Sequence, residues 1–264
     1  MGNAELFFDL YIGTLVLILG TVFGSFVNCA SSRIAHGESF LKGRSHCMNC
    51  GHELGALDLI PVLSFLGLRG RCRYCGAKIS VRYPLTEAAA GVFSLILLAR
   101  YRLSVEFLLF WGFSMILLGV GLVDLETFEI PDGFHVVSLI WWLVMMPFRE
   151  GNRWEMTING LLGGLCIAGG LLVVSLIMDR VLGKESLGGG DIKLFFVTGL
   201  YLGPWVNLFT LMLSCLIGLF FILISEKRTE TGGFAFGPSI ALAAAVSMVI
   251  GGPVTEWYLS LFAI

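Results

Sequence analysis

Leu187-Gly188-Gly189-Gly190-Asp191-Ile192-Lys193 carries the chain from three consecutive glycines through an aspartate into an apolar segment. An ionisable residue beside a membrane segment is costly and marks a candidate functional site. Glycines next to it let a second backbone come close, because no side chain intervenes. About sixty residues earlier, Asp124-Leu125 through Ile130-Pro131-Asp132 places a second acidic stretch at the end of another apolar run. Around these two stretches the composition decides the class. Of 264 residues, 56% are hydrophobic and 14% charged, and the mean hydropathy is +0.87. A soluble domain carries about 25% charged residues. The expected fold is therefore an all-α polytopic membrane protein, and soluble readings are excluded.

Apolar segments at 6–28, 85–103, 105–123, 134–148, 157–180, 191–203, 205–225 and 238–260 predict about eight transmembrane helices. Each is compared with the ~30 Å hydrocarbon core that a helix must cross; 134–148 and 191–203 are short for that. The first run lacks the basic lead and small-residue cleavage site of a signal peptide, and reads as a retained helix. No internal repeat or low-complexity linker is evident. Three regions are expected: 1–30 as a first transmembrane helix, 31–84 as a polar cytoplasmic domain, and 85–264 as a membrane core. The polar segment holds Arg33, Lys42, Arg44, Arg69, Arg71, Arg73, Lys78 and Arg82, eight of the 17 basic residues. Positive loops stay on the cytoplasmic side. Alternation then puts Arg180, Lys184, Lys193, Lys227 and Arg228 on that side as well, with Arg100, Arg102, Arg149 and Arg153 opposite. It also puts Asp124 and Asp191 at one depth.

Cys47-Met-Asn-Cys50 and Cys72-Arg-Tyr-Cys75 form two C-x2-C pairs, each followed by glycine. Four thiolates at this spacing suit a tetrahedral structural zinc site. Two disulfides or a redox role are the alternatives, and a reducing compartment argues against the disulfides. Zinc would supply much of the folding energy of so short a segment. His46 and His52 flank the first pair as weaker ligand candidates. Cys29, Cys166 and Cys215 lie in apolar runs and are expected to pack as small hydrophobes.

Two aspartates at one depth suggest a carboxylate dyad, one taking a proton from water while the other, protonated, polarises a carbonyl. Capping by helix-terminal acids, and an ion or proton pathway, remain open from the residues alone. Asp191 at a helix N-terminus is favoured by the helix dipole, whereas Asp124 at a helix C-terminus is disfavoured and needs another reason. Asp132 follows Pro131 in a first helical turn, a common structural place, and is held as a possible supporting acid. Glu126 and Glu129 read as solvated loop residues.

These motifs, in this order, resemble the bacterial type IV prepilin peptidases, which are bifunctional leader peptidase/N-methyltransferases. Gly24-Ser25-Phe26-Val27-Asn28 resembles the first-helix signature. The paired cysteines frame Asp58-Leu59-Ile60-Pro61 and Arg69-Gly70-Arg71, and Arg82-Tyr83-Pro84-Leu85 with Glu87 closes the segment. Asp124 through Asp132 resembles the first catalytic block, and Gly188-Gly189-Gly190-Asp191 the GxGD signature of intramembrane aspartyl peptidases. Met48 stands where the family often has proline, and Cys29 through Ala35 departs from its usual pattern.

The resemblance implies that a basic leader is cut after a glycine on the cytoplasmic side of the bacterial inner membrane. The new N-terminus is then methylated from S-adenosylmethionine. It makes Asp124 and Asp191 the peptidase pair and Gly188, Gly189 and Gly190 the approach for an extended substrate. The partners implied are prepilin or pseudopilin precursors and the lipid bilayer, with no nucleic acid. No G-x-G-x-x-G cradle marks the methyl-donor site; Glu38, Glu53 and Glu87 are weak candidates. A proton or cation transporter and a zinc-bearing assembly factor are the competing classes. The first lacks an evident inverted repeat and puts its acids at the membrane edge, and the second leaves the glycines before Asp191 unused.

Overall fold

The computed structural model describes residues 3–39, 43–183, 186–224 and 234–262. The orientation argument used Lys42, Lys184, Lys227 and Arg228, which lie outside the described residues. Among those described there is no β-strand; the long elements are all helices. The chain divides into two compact units, Met1–Leu103 and Ser104–Ile264.

In the first unit, α1 (Asn3–Ala35) runs antiparallel to α3 (Arg82–Tyr101). Small residues set their approach. A Cβ on Gly20 would meet Gly91 Cα at 2.9 Å, and one on Gly24 would meet Ala90 Cβ at 2.7 Å. Without a hydrophobic driving force between helices in lipid, such close backbone contact is what holds a helix pair together. Buried Asn28 adds polar contacts, donating from Nδ2 to Tyr83 O at 3.3 Å and to Thr86 Oγ1. Between α1 and α3 lie the cysteine turns and a short helix, α2 (Leu63–Gly67).

In the second unit, α4 (Val105–Thr127), α5 (Asp132–Met145), α6 (Arg153–Leu182), α7 (Gly189–Ile224) and α8 (Gly237–Ser260) follow in turn. Among the described residues, five helices are long and apolar enough to cross a membrane: α1, α4, α6, α7 and α8. Within the described residues each of the eight expected segments falls on a helix, but two of them, 191–203 and 205–225, join in α7. The break is a kink: Gly203 has φ +73°, and Pro204 follows it. Buried Asn207, just past the kink, ties the two halves of α7 to each other and to α6, donating to Gly163 O at 3.1 Å and Phe195 O at 3.0 Å while accepting from Thr198 Oγ1 at 2.8 Å. A glycine seam brings α6 onto α7, where a Cβ on Gly163 would meet Gly199 O at 2.7 Å. Trp141 of α5 donates from Nε1 to Leu109 O of α4 at 3.0 Å, and Tyr201 of α7 donates to Ser138 O of α5 at 2.6 Å.

Candidate active site

Asp124 lies in the last turn of α4, which Phe128 ends in a left-handed conformation by donating its N–H to Asp124 O at 2.9 Å. The Asp124 side chain is buried, at 3% exposure. Its Oδ2 accepts the Gly237 N–H at 2.8 Å. Gly237 opens α8, so the positive end of α8 faces a carboxylate that the negative end of α4 disfavours. A Cβ on Gly237 would stand 2.8 Å from that same oxygen, so only glycine leaves the carboxylate room.

Asp191 enters from the other side, in the first turn of α7. The loop after α4 reaches the start of α7, where an added Cβ on Gly190 would stand 3.1 Å from Ile130 Cβ, so the helix ends that bear Asp124 and Asp191 adjoin. The turn before Asp191 is locally braced: Gly188 O accepts from Asp191 N at 3.1 Å, and Ser186 N donates to Asp179 Oδ1 of α6 at 2.6 Å. The three glycines differ in what surrounds them. Added Cβ atoms would meet Asp191 Oδ2 at 3.1 Å from Gly188 and Ile130 Cβ at 3.1 Å from Gly190, while Gly189 faces open space.

Asp132 is exposed, and its Oδ1 accepts from Lys193 Nζ at 2.6 Å. It thus pairs with a cation at the start of α7, outside the buried carboxylate of Asp124. Sequence reasoning did not single out Gly237, although Gly237-Pro238 opening an apolar run marks a helix start, and a helix start is a ready partner for a carboxylate.

In the first unit the four expected ligands converge. The sulfurs of Cys47, Cys50, Cys72 and Cys75 all lie within 4.8 Å of one another, and Cys47 Sγ is 3.8 Å from Cys75 Sγ. A tetrahedral zinc with Zn–S near 2.3 Å needs sulfurs about 3.8 Å apart, so the set fits the ion. All four are free thiols rather than disulfides. Two matching turns build the set. Cys47 N donates to His52 O at 2.9 Å and Cys72 N to Ala77 O at 2.8 Å, and Gly51 and Gly76 take φ of +69° and +71°. The doubled C-x2-C-G pattern of the sequence is thus a doubled turn in the fold. Backbone N–H groups of Cys50 and Asn49 pull the Cys47 thiol below its usual value. Those of Ala77 and the Asn49 amide do the same for Cys75. His46 and His52 stand apart from the sulfur cluster; His52 stacks on Tyr74 at 3.6 Å between ring centroids. Asp58 is gripped by Arg73 Nε at 2.6 Å and Tyr74 Oη at 3.1 Å.

Of the weak methyl-donor candidates, Glu53 pairs with Arg44 at 3.2 Å on the surface. Buried Glu87 accepts the Val62 N–H at 2.8 Å and steadies a tight turn in which Val62 has φ +61°.

Fold and site define a helical multi-pass membrane protein with two aspartates on adjoining helix ends. Residues 18–101 match the bacterial peptidase A24 N-terminal domain, and residues 108–223 match the type IV leader peptidase family. The chain belongs to that family. It is 32% identical to the prepilin leader peptidase/N-methyltransferase of Pseudomonas putida, over 91% of each chain. The protein of the same name from Aeromonas hydrophila is 32% identical, over 83% of this chain and 76% of that one. The Bacillus subtilis one is 29% identical, over 94% and 98%. No solved structure matches significantly.

Proposed function

We propose that this chain removes the basic leader from type IV prepilins or type II secretion pseudopilins and N-methylates the new terminus, with Asp124 and Asp191 as the catalytic pair. The observation that carries this reading is that the end of α4, bearing Asp124, and the start of α7, bearing Asp191, adjoin through Ile130 and Gly190, in a family whose relatives bear that double name. One carboxylate takes a proton from water, and the water attacks the scissile carbonyl. The other, protonated, donates a hydrogen bond to the oxygen that becomes negative. Gly237 holds Asp124 in place through this cycle, and Gly189 leaves space beside Asp191 for an extended backbone.

Cys47, Cys50, Cys72 and Cys75 hold a structural zinc, which stabilises the segment between α1 and α3. S-adenosylmethionine supplies the methyl group. The active face is cytoplasmic in a bacterial inner membrane, as the distribution of lysine and arginine supports. The test is to incubate purified protein with a prepilin-like precursor, with and without S-adenosylmethionine. Mass spectrometry is expected to show loss of the leader in both cases and a gain of one methyl group only with the donor. An uncut precursor overturns the peptidase reading; a cut but unmethylated product overturns the second activity.

A further inference from the structure

His135, on α5, is 8% exposed, and its Nε2 lies 3.0 Å from Gly190 O. A carbonyl only accepts, so Nε2 carries the proton and donates. The other ring nitrogen, Nδ1, is buried without a hydrogen-bond partner and lies 3.8 Å from Asp132 Oδ1, whose charge Lys193 already offsets. The carbonyl that His135 grips belongs to the peptide group immediately before Asp191. Gly188, Gly189 and Gly190 bring no side chains to pack, and glycine backbones accept many conformations. Contacts from outside therefore add to the turn's own hydrogen bonds in setting the position of Asp191. Ile130 packs against Gly190, where an added Cβ would come within 3.1 Å, and His135 fixes the rotation of its carbonyl. The ion pair Asp132–Lys193 joins the same two elements but is solvent-exposed, and exposed pairs contribute little.

We infer that His135 is a positioning residue for peptide cleavage, holding the Gly190–Asp191 peptide through its Nε2–H so that the Asp191 carboxylate faces Asp124. The inference rests on the peptidase reading. It predicts a defect in turnover rather than in substrate affinity, because His135 acts on the carboxylate and not on the precursor. A displacement of about 1 Å at a catalytic group costs on the order of a hundredfold.

The experiment compares the wild type with His135→Leu and His135→Gln on the same precursor, with thermal unfolding in detergent as the folding control. The Leu variant, of similar bulk and without a donor, is expected to lose about ten- to a hundredfold in kcat with KM within about twofold. The Gln variant, whose amide reaches the Nε2 position, is expected to stay within about threefold of wild type. A Leu variant at wild-type kcat overturns the inference, as does a Gln variant as impaired as the Leu variant, or a loss confined to KM. If the Leu variant does not fold, the Gln variant decides: retained kcat supports the role, and a tenfold loss overturns it. No cleavage by the wild type overturns the peptidase reading and this inference with it. Cleavage by the wild type with an unaffected Leu variant overturns the inference alone.

Discussion

The cysteine cluster and the aspartate pair are assembled in opposite ways. The cysteines come from two short turns that each close their own hydrogen bonds, Cys47 N to His52 O and Cys72 N to Ala77 O. Cys50 and Cys75 remain exposed, in a segment with little core. The aspartates come from α4 and α7, and the group that binds Asp124 opens α8, 113 residues further on. A divalent cation attracts its ligands and can gather a site from a loosely held chain. Two like charges repel, so only surrounding helices can hold them together. The metal site needs a good local sequence; the dyad needs the whole second unit.

Substitutions test that contrast, and the largest effect belongs to the acids. Asp124→Asn and Asp191→Asn are each expected to slow leader removal by about a thousandfold, measured as initial rates, while the unfolding midpoint changes little. Either variant cleaving within tenfold of wild type breaks the dyad. Cys47→Ser with Cys72→Ser is expected to lower bound zinc from about one per chain to near zero, and to make the segment between α1 and α3 sensitive to limited proteolysis. Retained protease resistance without zinc would mean that this segment, too, is held by tertiary packing.

Gly237→Ala puts a methyl group 2.8 Å from Asp124 Oδ2 and 3.1 Å from its Cβ. It should cost about ten- to a hundredfold in kcat, with KM little changed. An unchanged rate would show that the carboxylate has room to move and that the α8 contact is not needed.

The smallest effect is expected at Asp58. The Arg73 guanidinium holds its carboxyl below the usual range, with the Gly55 N–H and Tyr74 hydroxyl adding to this. A depressed folded value stabilises above the unfolded carboxyl pKa of 3.8 and is lost as pH falls through the folded value. Asp58→Asn is therefore expected to raise protease sensitivity of the segment modestly at pH 7. The difference from wild type should shrink below about pH 4. A difference that persists unchanged at pH 3 would remove the ion pair as its cause.

Much of this was legible in the sequence, because local chemistry carries it. The eight apolar runs all fall on helices, seven in number among the described residues because two runs share α7, and C-x2-C twice over marks four sulfurs that do converge. The limits are equally physical. The runs before and after Gly203 read as separate spans, since glycine followed by proline interrupts a helix; Asn207 bonds back to Phe195 O across the kink, and α7 continues through it. The triple glycine reads as a place of close approach, yet only the fold shows that Ile130 of the same chain fills the space at Gly190 while Gly189 stays open. His135 carries no signal in one dimension, because its partner is a backbone carbonyl 55 residues away.

By itself, the sequence determined the membrane class, the order of helices, the four thiols and the two acid-bearing stretches, all of which follow from hydropathy and short-range spacing. Tertiary structure alone decided that Asp124, rather than exposed Asp132, is buried against the start of α8, and that the end of α4 adjoins the start of α7. The reason is that a carboxylate's neighbours in space, not in sequence, determine whether it is solvated, paired with a cation, or held beside another acid.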